Sequence, residues 1–239
     1  NSEGSDYSPF LVKDSLGRNT QLYFTGTRDE EIYWAIGHGY SRLYVMNLED
    51  TFKNTGTVEK VKIPLVFEKS NYNVGTVTFS GDGKTIIFAR GNSGRRRDKI
   101  KEVSLFISNF IDSTQSWSEP TLLPFSNPKT WDSTPAFSRN GSTLYFASNR
   151  GGGYGGIDLW SVKRRRDGTW DQPRNMGSKI NTTGNEMFPY VSERGALYFA
   201  SDGHPGFGGL DIFEATRKDN RTSIDNIGLK FNTSYDDFG

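Results

Sequence analysis

The chain contains no cysteine. Disulfide staples, zinc–thiolate centres and thiol nucleophiles are therefore outside its chemistry, and packing and hydrogen bonds must supply its stability. It has only two histidines, His38 and His204, each next to a glycine, and neither has the neighbours of a metal pair or a charge relay. No Gly-x-Ser-x-Gly elbow marks a serine nucleophile. No run approaches the roughly 20 apolar residues of a membrane-spanning helix, and residues 1 to 15 lack the basic and apolar regions of a signal peptide. A targeting segment, for an exported protein, would have to lie outside these residues. An excess of one charge is missing too. Against 29 Lys and Arg stand 28 Asp and Glu, a net charge of +1, which gives no overall field to hold a polyanion or an anionic membrane. Neither nucleic acid nor direct membrane insertion is expected.

Hydrophobic residues make up only 33% of the 239-residue chain while aromatics reach 14%, so Phe, Tyr and Trp must build much of the core. That composition favours strands. One apolar pattern then recurs four times: Leu22-Tyr23-Phe24-Thr25, Ile86-Ile87-Phe88-Ala89, Leu144-Tyr145-Phe146-Ala147 and Leu197-Tyr198-Phe199-Ala200. Their first positions are 64, 58 and 53 residues apart. Turns ending in Gly83, Gly141 and Gly195 precede the last three copies, and a looser one near Gly17 precedes the first. A glycine there supplies the left-handed backbone of a tight hairpin.

A third strand follows each hairpin, at Arg42 to Val45, Ser104 to Ile107, Asp158 to Ser161 and Asp211 to Glu214. A weaker fourth segment is announced by Trp117-Ser118-Glu119-Pro120 and Trp170-Asp171-Gln172-Pro173, where proline suits an outer, edge-like strand. Four short strands per unit of about 50 to 60 residues, with no helical period, predict an all-β chain of propeller blades. The blades fall near residues 6–70, 71–127, 128–180 and 181–231. Ahead of three hairpins stand Asp6-Tyr7-Ser8-Pro9, Asp132-Ser133-Thr134-Pro135 and Glu186-Met187-Phe188-Pro189; Asp236-Asp237-Phe238-Gly239 starts the pattern again, and the second repeat has Val74 and Val77 instead. Residues 232–239 thus open a fifth blade, and a parent protein with five or more blades is expected.

The run from Trp131 to Trp160 and its partner from Asn185 to Ala215 resemble the PD40 family, the WD40-like repeats of TolB-type propellers. The glycine-rich stretches Gly152 to Asp158 and Phe207 to Asp211 are most similar to propellers of Bacteroidetes OmpA-family envelope proteins, one branch of which is the PorE-like lipoproteins of the type IX secretion system. The match is strong over residues 131 to 215, fair over 74 to 110 and weak over 6 to 70. The resemblance implies a periplasmic, outer-membrane-associated interaction module, with envelope proteins or a peptidoglycan-linked assembly as partners. A glycan-binding or hydrolase- or lyase-associated propeller is the alternative. Nothing in it sets an oligomeric state.

Propeller topology places the two-to-three loops, Arg28 to Tyr40, Arg90 to Asp98, Asn149 to Gly156 and Asp202 to Gly209, on one face, and Arg164, Arg165 and Arg166 on the other. Arg150, Tyr154, His204 and Phe207 on the first face are the candidate partner-binding residues. Asp6, Asp132 and Glu186 are placed near the channel mouth as polar groups, with turn capping inside each blade as the plainer reading. The glycine-rich loops lack the Lys-Ser/Thr and following helix of a phosphate site. Instead Gly155-Gly156 and Gly208-Gly209 are read as tight returns into strand three, with Asp158 and Asp211 bonding backbone amides. The Arg95–Arg97 and Arg164–Arg166 triplets fall on different faces and read as solvated loops. No catalytic residue, metal site or cofactor emerges, and the chain reads as non-catalytic.

Overall fold

The computed structural model describes residues 6–13, 19–27, 32–33, 38–48, 58–60, 72–91, 102–219 and 221–238. Regular structure among them is β-strand. Two compact units divide the chain, Asn1–Leu122 and Leu123–Gly239, and among the described residues each holds two antiparallel sheets of four or five strands, the first with a small two-stranded ribbon besides.

In the first unit, β1 (Asp6–Lys13) and β2 (Asn19–Gly26) form the opening hairpin. A two-residue ribbon of β3 (Ile32–Tyr33) and β4 (His38–Gly39) sits in the connection to β5 (Arg42–Asn47), and β6 (Val58–Lys60) closes the order β1-β2-β5-β6. The second sheet comprises β7 (Val74–Phe79), β8 (Thr85–Arg90) and β9 (Ser104–Ile111), with β10 (Ser116–Trp117) and β11 (Thr121–Leu122) both paired to β9. Pro120 lies between these last two pieces. Having no N–H to give the ladder, it fits the break in the outer strand.

The second unit repeats the plan. β12 (Asp132–Phe137), β13 (Thr143–Ser148), β14 (Asp158–Lys163) and β15 (Arg174–Asn175) make one sheet, and β16 (Glu186–Val191), β17 (Leu197–Ser201), β18 (Asp211–Lys218) and β19 (Arg221–Asn226) the other, each in simple up-and-down order. Four such meanders of mostly four strands are the blades of a β-propeller fold.

The hairpins turn as their glycines dictate. Gly83, Gly141 and Gly195 have φ of 69°, 66° and 82°, and their N–H groups donate to the carbonyls of Ser80, Ser138 and Ser192 at 2.8, 2.8 and 2.9 Å. The same serines accept through Oγ from the N–H of Thr85, Thr143 and Ala196. A second shared device sits in the inner strand. All four sheets shift register there, between Tyr7 and Phe10, Val74 and Val77, Ser133 and Ala136, and Met187 and Tyr190. In three of them the residue before proline is left-handed, with φ of 54° at Ser8, 46° at Thr134 and 52° at Phe188. A bulge is where proline costs a strand least, because the extra residue leaves the ladder anyway.

The core lies between neighbouring sheets of a unit. Leu43 of β5 clusters with Val74, Val77, Phe79, Ile86, Phe88 and Phe106 of the second sheet. Ala147 and Leu159 of the third cluster with Leu197, Phe199 and Phe213 of the fourth. The strand-two phenylalanines Phe88, Phe146 and Phe199 are at most 1% exposed. Phe88 stacks on Phe106 at 6.1 Å, Phe199 on Phe213 at 6.0 Å, and Phe146 meets Phe125 at 5.4 Å. Phe146→Ala should therefore cost about 3–5 kcal/mol in chemical denaturation, whereas Tyr190→Ala, at a ring 58% exposed, should stay within about 0.5 kcal/mol. Equal losses at the two positions would refute this packing.

Candidate functional site

The glycine-rich loops of the second unit are built by two carboxylates. Asp158 accepts from the backbone N–H of Tyr154 (2.6 Å) and Gly155 (3.1 Å) and from Asn175 Nδ2 (2.8 Å). Asp211 accepts from the N–H of Phe207 (2.8 Å) and Gly208 (3.0 Å). Both acids are 1% exposed. The nest of amides that could cradle a phosphate is thus already filled by the chain's own carboxylate.

A second set of bonds ties each loop to the start of the next repeat. Gly156 N donates to Gly184 O at 2.9 Å, Ile157 N to Asn185 Oδ1 at 3.1 Å, and Glu186 N to Ile157 O at 2.8 Å. One repeat on, Leu210 N donates to Asp236 Oδ1 at 2.9 Å and Asp237 N to Leu210 O at 2.6 Å. Asn181 bonds both main-chain groups of Leu159, and Asn232 does the same to Ile212, so an asparagine side chain replaces a strand partner in each case. The first unit uses a shorter form: Val74 N donates to Ser41 O, and Ser41 N to Asn73 Oδ1, both at 3.0 Å. Residues 232–238 form no strand, yet they make the bonds of a blade entry.

These latches explain the paired glycines. A Cβ on Gly155 would stand 2.2 Å from Gly184 O, and one on Gly208 would stand 2.4 Å from Tyr235 O. Both obstacles are backbone and cannot swing aside. Asn181, Asn185, Asn232 and Asp236 did not stand out in the sequence as site residues. The available signal was the Asn-Thr pair five residues before Glu186 and before Asp237, repeated 51 residues on.

The sequence-predicted site residues divide by depth. Tyr154 and Phe207 occupy equivalent loop positions and are 52% and 49% exposed. Arg150 turns inward: its Nη2 reaches both oxygens of Asp132 at 3.0 Å, its Nε donates to Ser148 Oγ, and its guanidinium lies 4.8 Å from the Phe146 ring centroid. His204 is half-buried, with Nε2 2.9 Å from Ile180 O and its ring 5.1 Å from that of Phe213.

Asp132 and Glu186 are both 0% exposed. Asp132 accepts from Ser126, Thr130, Ser148 and Arg150 side chains. Glu186 accepts from the N–H and hydroxyl of Thr182 and from Ser201. Their carboxylates are engaged inside the blades, in the manner of turn caps, rather than presented to solvent. Asp6 pairs through its backbone with Gly26; its side chain, like most of the loops 28–40 and 90–98, lies outside the described residues. Among the described residues no group of three or more His, Asp or Glu could hold a metal ion, and no helix is long and apolar enough to cross a membrane.

No family model matches the chain, and no curated protein does. Solved structures with the same fold include TolB from Acinetobacter baumannii, at 15% identity and a TM-score of 0.53 over 93% of this chain and 43% of that one. A putative TolB from Agrobacterium tumefaciens is similar at 16% identity and 0.53, over 88% and 61%. The chain therefore spans less than two thirds of either. An α-L-arabinofuranosidase from Lactobacillus brevis matches at 15% identity and 0.55, over 93% of this chain and 75% of that one, and a thermostable family-43 glycoside hydrolase at 12% and 0.53, over 92% and 74%. These correct the non-catalytic reading taken from the sequence. Hydrolases share the fold with TolB, so the fold does not argue against catalysis. What the likeness establishes is a TolB-like β-propeller fold.

The latch geometry makes a matched pair of predictions. Gly155→Ala and Gly208→Ala should each destabilise the protein by about 1–3 kcal/mol, the range for overpacking. Gly151→Ala, whose Cβ would meet nothing within 4 Å, should change stability by less than about 0.5 kcal/mol. Thermal melts of the three variants compare them directly, and equal midpoints would contradict the latch.

Proposed function

We propose that the chain is a protein-interaction propeller of a periplasmic, outer-membrane-associated bacterial envelope protein, in which the glycine-loop face of the second unit docks the partner. The observation that carries this is the pair of half-exposed rings, Tyr154 and Phe207, held on loops in which the amides of Tyr154, Gly155, Gly156, Phe207 and Gly208 are hydrogen-bonded. A ring on a fixed loop presents apolar area with little ordering left to lose on binding. Arg150 and His204 act beneath as the floor that holds these loops, since both lie against strand-two and strand-three aromatics.

The envelope assignment rests on the resemblance of Trp131–Trp160 and Asn185–Ala215 to OmpA-family propellers, with the TolB-like fold in support. The finer reading is a role in a secretion or peptidoglycan-anchoring assembly, with other envelope proteins as partners.

Tyr154→Ser with Phe207→Ser removes the rings and leaves every latch bond, because those bonds use backbone N–H groups. Cross-linking in envelope fractions should recover a partner with the native protein and lose at least about 80% of it with the double variant, at an unchanged melting temperature. Undiminished recovery would remove this face from the interaction, and fractionation of the protein away from the envelope would refute the location.

A further inference from the structure

The near-neutral total charge conceals a polar second unit. Four connections lie at the hairpin end of its two sheets, at residues 138–143, 163–171, 192–196 and, among the described residues, 216–219 with 221–222. Together they hold nine basic residues against four acidic ones. The opposite end, with the glycine loops and latches, is balanced: Asp202, Asp236 and Asp237 stand beside Lys129, Lys179 and Lys230, over the buried carboxylates.

Hydrogen bonds join three of these turns into one surface. Arg164 N donates to Ser142 O at 2.9 Å, linking the β14–β15 turn to the β12–β13 hairpin. Arg139 Nη1 donates to Glu193 O at 2.6 Å, linking that hairpin to the β16–β17 hairpin. Arg164 also packs over Trp170 at 5.7 Å. Two of the four acids are turned onto their own surroundings: Asp171 on Arg165 at 2.6 Å, and Asp167 on the N–H and hydroxyl of Thr169. Arg165 is still 62% exposed, and Arg166 and Arg194 are exposed.

We propose that this hairpin end is a second docking surface, for an acidic polypeptide segment. Seven of the nine basic residues are arginine, whose planar fork matches a carboxylate bidentately and is less strongly hydrated than lysine. Among the described residues none of the large exposed apolar side chains lies in these turns, so the surface offers nothing to insert between lipid tails. An extended chain with recurrent Asp or Glu could meet successive turns, whereas one small anion could engage only one.

The test uses the 239-residue chain and a fluorescein-labelled oligoglutamate peptide of about twelve residues, titrated by fluorescence anisotropy at low and physiological ionic strength. Binding should be measurable at low salt and weaken at least about tenfold at physiological salt. Arg166→Glu with Arg194→Glu should weaken it at least about fivefold at an unchanged melting temperature, and leaves the Arg165–Asp171 pair intact; Lys129→Glu with Lys179→Glu, at the other end, should change it less than about twofold. Absence of binding by the native chain at low salt would overturn the proposal, as would equal binding by the arginine variant. Capture by phosphatidylglycerol vesicles without binding of the peptide would overturn it as well and make the partner a lipid surface.

Discussion

Within each unit the backbone N–H that opens the second sheet finds its acceptor in the first, and Asp237 makes the same bond one repeat on. Val74 donates to Ser41, Glu186 to Ile157 and Asp237 to Leu210, in each case to the carbonyl just before strand three. A main-chain amide at such a junction has neither a sheet ladder nor free access to water, and leaving it unpaired would cost on the order of a hydrogen bond. Two sheets are brought side by side by this requirement as much as by their phenylalanines. The remaining features follow from it. Asn73, Asn185 and Asp236 return an acceptor to the same strand entry, and Gly155 and Gly208 exist because the two backbones approach too closely for a Cβ.

Interactions local in sequence were the legible ones. Hairpins can be read from Ser-x-x-Gly followed by an apolar run, because the turn, its glycine and both strands lie within about 15 residues. The carboxylates of Asp158 and Asp211 were readable for the same reason, since each bonds amides three and four residues earlier. The latches were not. Asn181 meets Leu159 at a separation of 22 residues, and Asn185 meets Ile157 at 28, and polar residues in such stretches look like ordinary turn formers until the neighbouring sheet is in place. The break of the outer strand at Pro120 was visible as an edge signal, but its division into two short pieces depended on how β9 extends.

Arg150 shows how burial nearby gives a loop residue an internal task. A lone arginine beside three glycines suggests a solvent-facing contact. Asp132, however, is wholly buried, and an ionised carboxylate removed from water requires a countercharge or several donors. In the third blade Arg150 provides it. In the fourth, the longer Glu186 reaches the Thr182 hydroxyl and amide without any cation, which leaves the space over Phe199 and Phe213 to His204. The two blades solve one desolvation problem with different residues, and the choice between them is invisible without the third dimension.

The two ends of the second unit are therefore different kinds of surface. At the glycine-loop end the buried acids hold amides, hydroxyls and one guanidinium, and the half-exposed rings of Tyr154 and Phe207 reach solvent among exposed charges of both signs. At the hairpin end two of the turns are short and closed by serine and glycine, and the arginines bond carbonyls, carboxylates and rings at the surface rather than buried carboxylates. A balanced composition of 29 basic and 28 acidic residues is thus the sum of unlike parts. An apolar contact at one end would gain from burial and be nearly indifferent to salt, whereas an ionic one at the other would be governed by screening. The same fold separates the two because alternate connections of an up-and-down blade must leave from opposite ends of its strands.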